Sequence, residues 1–175
     1  MKVAFITETY SPEVNGVAMT LKRIVDGLVT RGHEIEVFRP RQSKEDTGRK
    51  ENPKEFVMPG FPIPKYSELR FGWPAKRAFL KHFRNRRPDL IHVATEGPLG
   101  LSAVSAARKL GIPCVTDFHT NFHAYSKHYR FGILHRLVLM YLRWFHNRTL
   151  ATFVPSQDIA EKLEGVGFHD VRVIG

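Results

Sequence analysis

Cysteine and long apolar runs are both scarce in this sequence of 175 residues. The single cysteine, Cys114, cannot form an internal disulfide, and its apolar neighbours predict a small buried side chain in a reducing, cytoplasmic compartment. The longest apolar run, residues 137–142, is far shorter than the roughly 20 residues of a membrane-spanning helix. The apolar start before Glu8 is too short for the core of a signal peptide. The sequence therefore predicts a fold without disulfides, without membrane-spanning helices and without a signal peptide.

Acidic residues are also in deficit, with 17 Asp and Glu against 27 Lys and Arg and a formal net charge of +10. Because 42% of the residues are hydrophobic, the composition is that of a globular domain and excludes disordered and collagen-like classes. The excess of positive charge predicts anionic partners, either a membrane surface or nucleic acid. No nucleic-acid-binding module is visible, so we expect a membrane surface rather than nucleic acid.

Short apolar runs alternate with helical patterns along the chain, which predicts one α/β domain with a doubly wound, mostly parallel, Rossmann-like sheet. We expect residues 40–54 to form a solvated connection with a mobile tip, and residues 59–64 to be irregular because they contain three prolines. The predicted strands are residues 3–7, 35–38, 56–58, 90–93, 114–116, 151–154 and 171–174. The predicted helices begin at residues 17, 74, 99, 133 and 156.

The loop after the first strand carries Asn15 and Gly16 at the start of a helix. Free backbone N–H groups and the helix dipole at such a start can hold a phosphate, and a glycine lets the anion approach the backbone. The loop lacks the G-x-G-x-x-G pattern, and Phe38 and Arg39 stand where a dinucleotide-binding strand ends in an acid, so a nicotinamide cofactor is not supported. A simple turn glycine is the alternative interpretation.

The loop after residue 116 is dense in hydrogen-bonding side chains at the expected ligand edge of the sheet. Sugar or phosphate contacts are the favoured interpretation, because His119 and His123 have metal-ligand spacing but no further ligands beside them. Structural packing is the alternative for each histidine. The polar residues concerned are Asp117, His119, Thr120, Asn121 and His123.

A third loop, after the strand at residues 90–93, offers Glu96 close to a helix start. Its carboxylate can orient a hydroxyl group or interact with the helix dipole. The sequence shows no nucleophile elbow, no P-loop and no spaced pair of catalytic carboxylates.

The positive charge is concentrated on two helices. Arg77, Lys81 and Arg84 form one stripe of the helix near residues 75–87, while Phe79 and Phe83 point elsewhere. This pattern predicts docking to an anionic membrane surface, with nucleic acid or merely solvated faces as alternatives. On the helix from residue 133 we expect a narrow basic face and an apolar remainder that is mostly core. That basic face consists of His135, Arg136, Arg143 and His146.

Five segments of the sequence carry a recognisable pattern in register, namely residues 3–17, 31–34, 88–92, 116–120 and 154–156. Together they resemble the N-terminal domain of family-4 retaining glycosyltransferases of the GT-B fold, and are most similar to bacterial α-mannosyltransferases that use GDP-mannose. Residues 70–72 and the following basic helix are similar to the membrane-docking segment of the members that modify phosphatidylinositol.

The resemblance implies roles at matching positions. Gly16 would contact the donor diphosphate, and His119 would lie beside the transferred sugar and help stabilise an oxocarbenium-like transition state. Tyr10, Asn15 and Thr120 would line the donor and acceptor cleft. The expected reaction is transfer of a hexose, mannose from GDP-mannose or alternatively glucose from UDP-glucose, to a lipid or glycan acceptor with retention. No metal and no cofactor would be required.

The same resemblance implies that residues 1–175 are the acceptor-side half of an enzyme. A C-terminal domain that holds the nucleotide sugar would follow, and we expect the isolated half to be inactive. The enzyme would be cytoplasmic and peripheral at the inner face of the membrane. A basic Rossmann-like module that binds membrane or nucleic acid without catalysis is the alternative.

Overall fold

A computed structural model describes residues 1–63, 66–119 and 133–174. Seven parallel strands form one sheet in the order β3-β2-β1-β6-β7-β8-β9, and β4 and β5 form a separate antiparallel pair. The mostly parallel α/β sheet predicted from the sequence is confirmed. The strands are β1 (Lys2–Ile6), β2 (Glu34–Pro40), β3 (Lys54–Met58), β4 (Gly60–Ile63), β5 (Tyr66–Gly72), β6 (Leu90–Val93), β7 (Cys114–Asp117), β8 (Ala151–Val154) and β9 (Val171–Val173).

Both faces of the sheet are covered, which explains the unbroken apolar runs of its central strands. In β1, Ala4 and Ile6 enter one apolar cluster, while Val3 and Phe5 enter another beneath α1. Cys114 is buried and unpaired, as predicted, and burial raises the pKa of its thiol to about 12. The described helices are α1 (Gly16–Thr30), α2 (Lys76–Asn85), α3 (Pro98–Leu110), α4 (Ile133–His146) and α5 (Gln157–Gly165).

The first departure from the sequence prediction is the proline-containing segment at residues 59–64. Gly60–Ile63 is a strand, not irregular chain, and it pairs with Tyr66–Gly72 through an irregular register after Pro62. Each strand of a two-stranded ribbon keeps one free edge, so a proline without an N–H group is tolerated there. Proline therefore did not exclude a strand at this position.

The second departure concerns the connection between β2 and β3. Arg39 is only 3% exposed, and its guanidinium lies 2.6 Å from Asp46 Oδ2 and 2.8 Å from Glu55 Oε2. Hydrogen bonds from Arg39 are the main reason that the pKa of Asp46 falls to about 2. The first half of the connection is thus anchored to a buried cation, and is not simply solvated chain.

The third departure is the orientation of α4. His146, predicted on a basic outer face, is buried, whereas Leu137 and Trp144, predicted as part of a mostly buried stripe, are 54% and 45% exposed. Among the residues described, no helix combines the length and apolarity needed to cross a bilayer.

Candidate functional site

A cavity of about 490 Å³ opens at the carboxyl ends of β1 and β6. These two strands are neighbours where the strand order reverses, because β2 follows on one side and β7 on the other. Ligands of doubly wound sheets bind at such reversal points. We call this space the switch-point cavity; its walls include Asn15, Gly16, Arg70 and Glu96.

The start of α1 forms one wall of the switch-point cavity. Asn15 caps the helix, because its Oδ1 accepts a hydrogen bond of 2.8 Å from the N–H of Ala18. The N–H groups of Gly16 and Val17 have no recorded acceptor in the described chain, as is usual for a first helical turn. A Cβ added at Gly16 would meet no atom within 4 Å. The wall therefore presents free donors and open space to an anion.

Side chains in the loop before α1 hold this wall in place. The amide nitrogen of Asn15 donates to Thr9 Oγ1 at 2.8 Å and to Glu13 Oε2 at 3.3 Å. Glu13 also accepts short hydrogen bonds from Thr9 and from Gln42, which follows β2. Burial raises the pKa of Glu13 against the effect of these donors. The Asn15 side chain is consequently used to shape the loop, and any phosphate contact falls to the backbone.

Glu8 is a buried residue of the cavity that the sequence analysis missed. Its carboxylate accepts hydrogen bonds from the N–H of Gly72 at 2.5 Å and from that of Leu99 at 2.8 Å. It thus joins the end of β5 to the start of α3. Burial raises the pKa of Glu8 to about 7 despite these donors. An acid directly after a buried strand was the signal that marked this position.

Glu96 lies in the opposite wall and is held by α4. Its Oε1 is 3.2 Å from His146 Nε2, and the hydroxyl of Tyr141 donates to its backbone carbonyl at 2.5 Å. The other ring nitrogen of His146 is 2.8 Å from Thr116 Oγ1. Glu96 therefore lines the cavity from a fixed position, and its role in orienting a hydroxyl stays a prediction.

A carboxylate between two imidazoles lies at the end of the next strand, β7. Asp117 Oδ1 is 2.7 Å from His92 Nε2, and Asp117 Oδ2 is 3.3 Å from His119 Nε2. Neither contact has the geometry of a hydrogen bond, so both are close contacts between a ring nitrogen and a carboxylate oxygen. Burial alone would raise the pKa of Asp117, but the two imidazoles outweigh it and hold that pKa at about 2.

This arrangement makes Asp117 a fixed negative charge behind His119, which is 24% exposed. His92 lies on β6 with its ring 4.6 Å from that of Phe5, and it was not singled out from the sequence. The signal was a polar residue at one position of an otherwise apolar strand. His92 can fix Asp117, and Asp117 can in turn orient His119.

The structure brings together only some of the residues predicted for the site. Asn15, Gly16 and Glu96 line the switch-point cavity, whereas Asp117 and His119 lie one strand away and are not among its walls. Thr120, Asn121 and His123 lie outside the described residues. Arg77, Lys81 and Arg84 are exposed on α2 and do not line the cavity.

Tyr10 does not occupy the position predicted for it. The side chain is 2% exposed and belongs to the apolar cluster that includes Leu21 and Val25 of α1. Burial also raises the pKa of its hydroxyl. The tyrosine supports the loop from below and does not line the cleft. Among the described residues, no group of three or more potential ligands is arranged to hold a metal ion.

Comparison with known proteins places this geometry in context. Residues 14–175 match the model of Glycosyltransferase Family 4. The chain is 32% identical over 171 residues to a GDP-mannose-dependent alpha-mannosyltransferase of Mycolicibacterium smegmatis, covering 93% of this chain and 44% of that protein. It is 28% identical over 165 residues to an alpha-monoglucosyldiacylglycerol synthase of Streptococcus pneumoniae, covering 93% of this chain and 37% of that protein.

A solved structure shows the same fold. Sucrose-phosphate synthase from Thermosynechococcus elongatus matches 99% of this chain and 47% of its own length with a TM-score of 0.68 at 12% identity. The chain thus spans less than half the length of each protein compared here. With a family match over nearly all of its residues, the chain belongs to glycosyltransferase family 4.

Proposed function

We propose that this chain is the acceptor-side part of a retaining hexosyltransferase that moves mannose from GDP-mannose to a lipid or glycan acceptor. The mannosyltransferase relatives support this donor. The alpha-monoglucosyldiacylglycerol synthase relatives support glucose from UDP-glucose as the second candidate and a glycolipid as the acceptor. A C-terminal domain would supply most of the nucleotide contacts, so the 175 residues alone would not catalyse transfer.

The start of α1 in the switch-point cavity is the observation that carries the proposal. Gly16 and Val17 belong to the first turn of α1 and line the cavity, and a Cβ at Gly16 would meet no atom within 4 Å, so the diphosphate of a nucleotide sugar can approach the backbone there. Arg70 lines the same cavity and adds a positive charge. Glu96 would accept a hydrogen bond from a sugar or acceptor hydroxyl.

Transfer of a glycosyl group asks little covalent chemistry of the protein, so positioning and electrostatics must supply the rate. His119 would hydrogen-bond a hydroxyl of the transferred sugar, and the carboxylate of Asp117 would keep the imidazole in one orientation. The negative charge of Asp117 also favours positive charge that develops nearby. No metal is required by this scheme.

A cytoplasmic membrane surface is the proposed place of action. Arg77, Lys81 and Arg84 are exposed on one side of α2, opposite the buried Phe79 and Phe83. Cations on such a helix attract anionic headgroups. The acceptor would then be reached at the membrane while the enzyme remains peripheral.

The test is a donor-consumption screen on the full-length protein with GDP-mannose, UDP-glucose, UDP-galactose and UDP-N-acetylglucosamine in the presence of a lipid extract. We expect consumption of GDP-mannose and a loss of about 100-fold in His119→Ala. His169→Ala, an exposed histidine remote from the cavity, is the matched control and should retain activity. Silence with every donor would contradict the proposal and favour a non-catalytic basic module.

Gly16→Ala tests the phosphate contact separately. Because a Cβ at Gly16 meets no protein atom within 4 Å, the fold should tolerate the change, while the added methyl group obstructs the approach of the donor. We expect KM for the donor to rise about tenfold. Gly165→Ala, which also adds a Cβ in open space but at the end of α5, should leave KM unchanged. Equal effects of the two variants would remove Gly16 from the donor site.

A further inference from the structure

A second cavity, of about 450 Å³, lies at the ends of β2 and β3 and shares Arg70 with the switch-point cavity. We call it the basic cavity. It opens at the same edge of the sheet, because the chain leaves β2 at Pro40 and β3 at Met58. The N–H of Arg41 donates to the carbonyl of Met58 at 2.9 Å, which ties the two strand ends together. Its walls are Arg41, Ser43, Lys44, Pro59, Gly60 and Arg70.

Three cations, Arg41, Lys44 and Arg70, line this space. In the part of the chain whose side chains are described, no carboxylate lies within ion-pair distance of Arg41, Lys44 or Arg70. Arg39, two residues before Arg41, provides the contrast because both Asp46 and Glu55 contact it. Among the described side chains, none therefore compensates the positive charge of the basic cavity.

Three of the nearby acids are engaged elsewhere. Asp46 and Glu55 contact Arg39, and Glu13 accepts hydrogen bonds from Thr9, Asn15 and Gln42. Glu45 is adjacent to Lys44 in the chain but is not a wall of the cavity. An anion entering this space would consequently meet three positive groups and no carboxylate in its described walls.

The loop that carries Arg41, Ser43 and Lys44 is also fixed before any ligand binds. Asp46 Oδ2 accepts a hydrogen bond from the N–H of Gln42 at 3.0 Å, and the N–H of Asp46 donates to the carbonyl of Ser43 at 3.3 Å. The buried guanidinium of Arg39 holds Asp46 in turn. Pre-organised groups lose less entropy on binding, so this loop is built to present its side chains outward.

We propose that the basic cavity binds a phosphate group. Two guanidinium groups, an ammonium group and the hydroxyl of Ser43 match the acceptor oxygens of a phosphate, which arginine can engage in a bidentate manner. Resting on the proposed function, the phosphate belongs to the acceptor, whose hydroxyl reaches the switch-point cavity past the shared Arg70. A soluble phosphate ester and a phospholipid headgroup have the same chemistry here.

Direct binding tests this assignment without any sugar donor. The 175-residue chain is titrated calorimetrically with glycerol 3-phosphate, with inorganic phosphate and with glycerol. We expect saturable binding of the two phosphates and none of glycerol. The double variant Arg41→Ser with Lys44→Ser should weaken phosphate binding about tenfold, since two charge-assisted contacts are lost.

The matched control is the double variant Arg49→Ser with Lys50→Ser, which removes the same charge from exposed residues of the same connection outside the cavity. It should change the affinity less than about twofold. Equal weakening by both double variants would show binding to net charge alone and overturn the proposal. Absence of saturable phosphate binding to the unmodified chain would also overturn it.

Vesicles identify the source of the phosphate. A phospholipid headgroup is assigned if the chain sediments with vesicles of phosphatidylglycerol in phosphatidylcholine, and if the Arg41 and Lys44 double variant sediments less while the Arg49 and Lys50 double variant does not. Binding of glycerol 3-phosphate with unchanged sedimentation assigns a soluble ester. These binding tests use no sugar donor, so they do not depend on transfer. If the chain binds phosphate but the full-length protein transfers no sugar, only the proposed transferase function is contradicted.

Discussion

Helices α2 and α4 are both rich in basic and aromatic residues, yet the structure uses them in opposite ways. In α2 the apolar Phe79 and Phe83 are buried and the cations face outward. In α4 the basic His146 is buried, and the apolar Leu137 and Met140 face outward. The difference shows that helical spacing identifies the buried face of α2, which has one apolar stripe, but not that of α4, which is apolar over most of its circumference.

Each helix also has a polar anchor to the sheet, and the two anchors differ in kind. His82 of α2 is partly exposed and lies 2.7 Å from the buried carboxylate of Glu36 on β2. His146 of α4 is itself buried between Thr116 and Glu96. The first anchor rests on charge and the second on enclosed hydrogen bonding. Mutations and pH should therefore separate them.

The largest effect is expected at the anchor of α4. His146→Ala should lower the free energy of unfolding by about 3 kcal/mol, because it opens a void and leaves Thr116 with one partner fewer. His135→Ala, in the first turns of the same helix and partly exposed, should cost less than about 0.5 kcal/mol. Urea unfolding of both variants gives the comparison. Similar losses would mean that His146 is not the anchor.

The anchor of α2 should respond to acid. Burial alone would raise the pKa of Glu36, but His82, Lys2 and Arg86 outweigh it and lower that pKa. Its stabilisation is therefore present above the ordinary carboxyl range and is lost as the pH falls through the lowered pKa. Glu36→Gln should cost about 2 kcal/mol near neutral pH, less than a fully enclosed pair because His82 and Arg86 are partly solvated.

Unfolding free energies between about pH 6 and pH 3 check this prediction. The variant should approach the unmodified chain as the pH falls through the lowered pKa, because the charge of Glu36 is lost there. Glu34→Gln, an exposed change on the same strand, serves as control and should run parallel to the unmodified chain. A constant difference between Glu36→Gln and the unmodified chain would exclude charge as the basis of the anchor.

The outer face of α2 should matter at a membrane. Replacing Arg77, Lys81 and Arg84 by Ser should weaken binding to phosphatidylglycerol vesicles about tenfold, after allowance for screening by salt. Changing Arg23, Arg108 and Lys109 to Ser removes three exposed cations from α1 and α3 and should have a smaller effect. Sedimentation at two salt concentrations measures both variants. Equal reductions would remove the α2 stripe from the proposed docking surface.

Much of the fold was accessible from the sequence because the central strands are buried on both faces. Short, mostly apolar runs predicted Leu90–Val93 and Ala151–Val154 to the residue. The β4 and β5 ribbon was missed because its pairing lies at a free edge, where proline gives no warning. The burial of Arg39 was missed because its two carboxylate partners are 7 and 16 residues away along the chain.

The site was predictable where a single loop defines it and not where several elements meet. Asn15 and Gly16 mark a helix start by local sequence alone. The contact of His92 with Asp117 joins two strands, and the contact of Glu8 with Gly72 joins a loop to a distant ribbon. Such contacts depend on strand order. The position of Tyr10 in the loop can be read from the sequence. Its burial beneath α1 cannot, because it depends on packing against the side chains of that helix.

The smallest effect is expected on the apolar outer face of α4. Leu137 and Met140 are 54% and 56% exposed, so Leu137→Ser and Met140→Ser should each change the free energy of unfolding by less than about 0.5 kcal/mol. Leu142→Ser, a buried position of the same helix that packs with Phe118 and Leu163, should cost several times more. Urea unfolding again compares them. A loss above about 1 kcal/mol in Met140→Ser would indicate that this face is buried, since substitutions of exposed residues rarely cost so much. The helix would then have its apolar residues mostly in the core, as the sequence analysis expected.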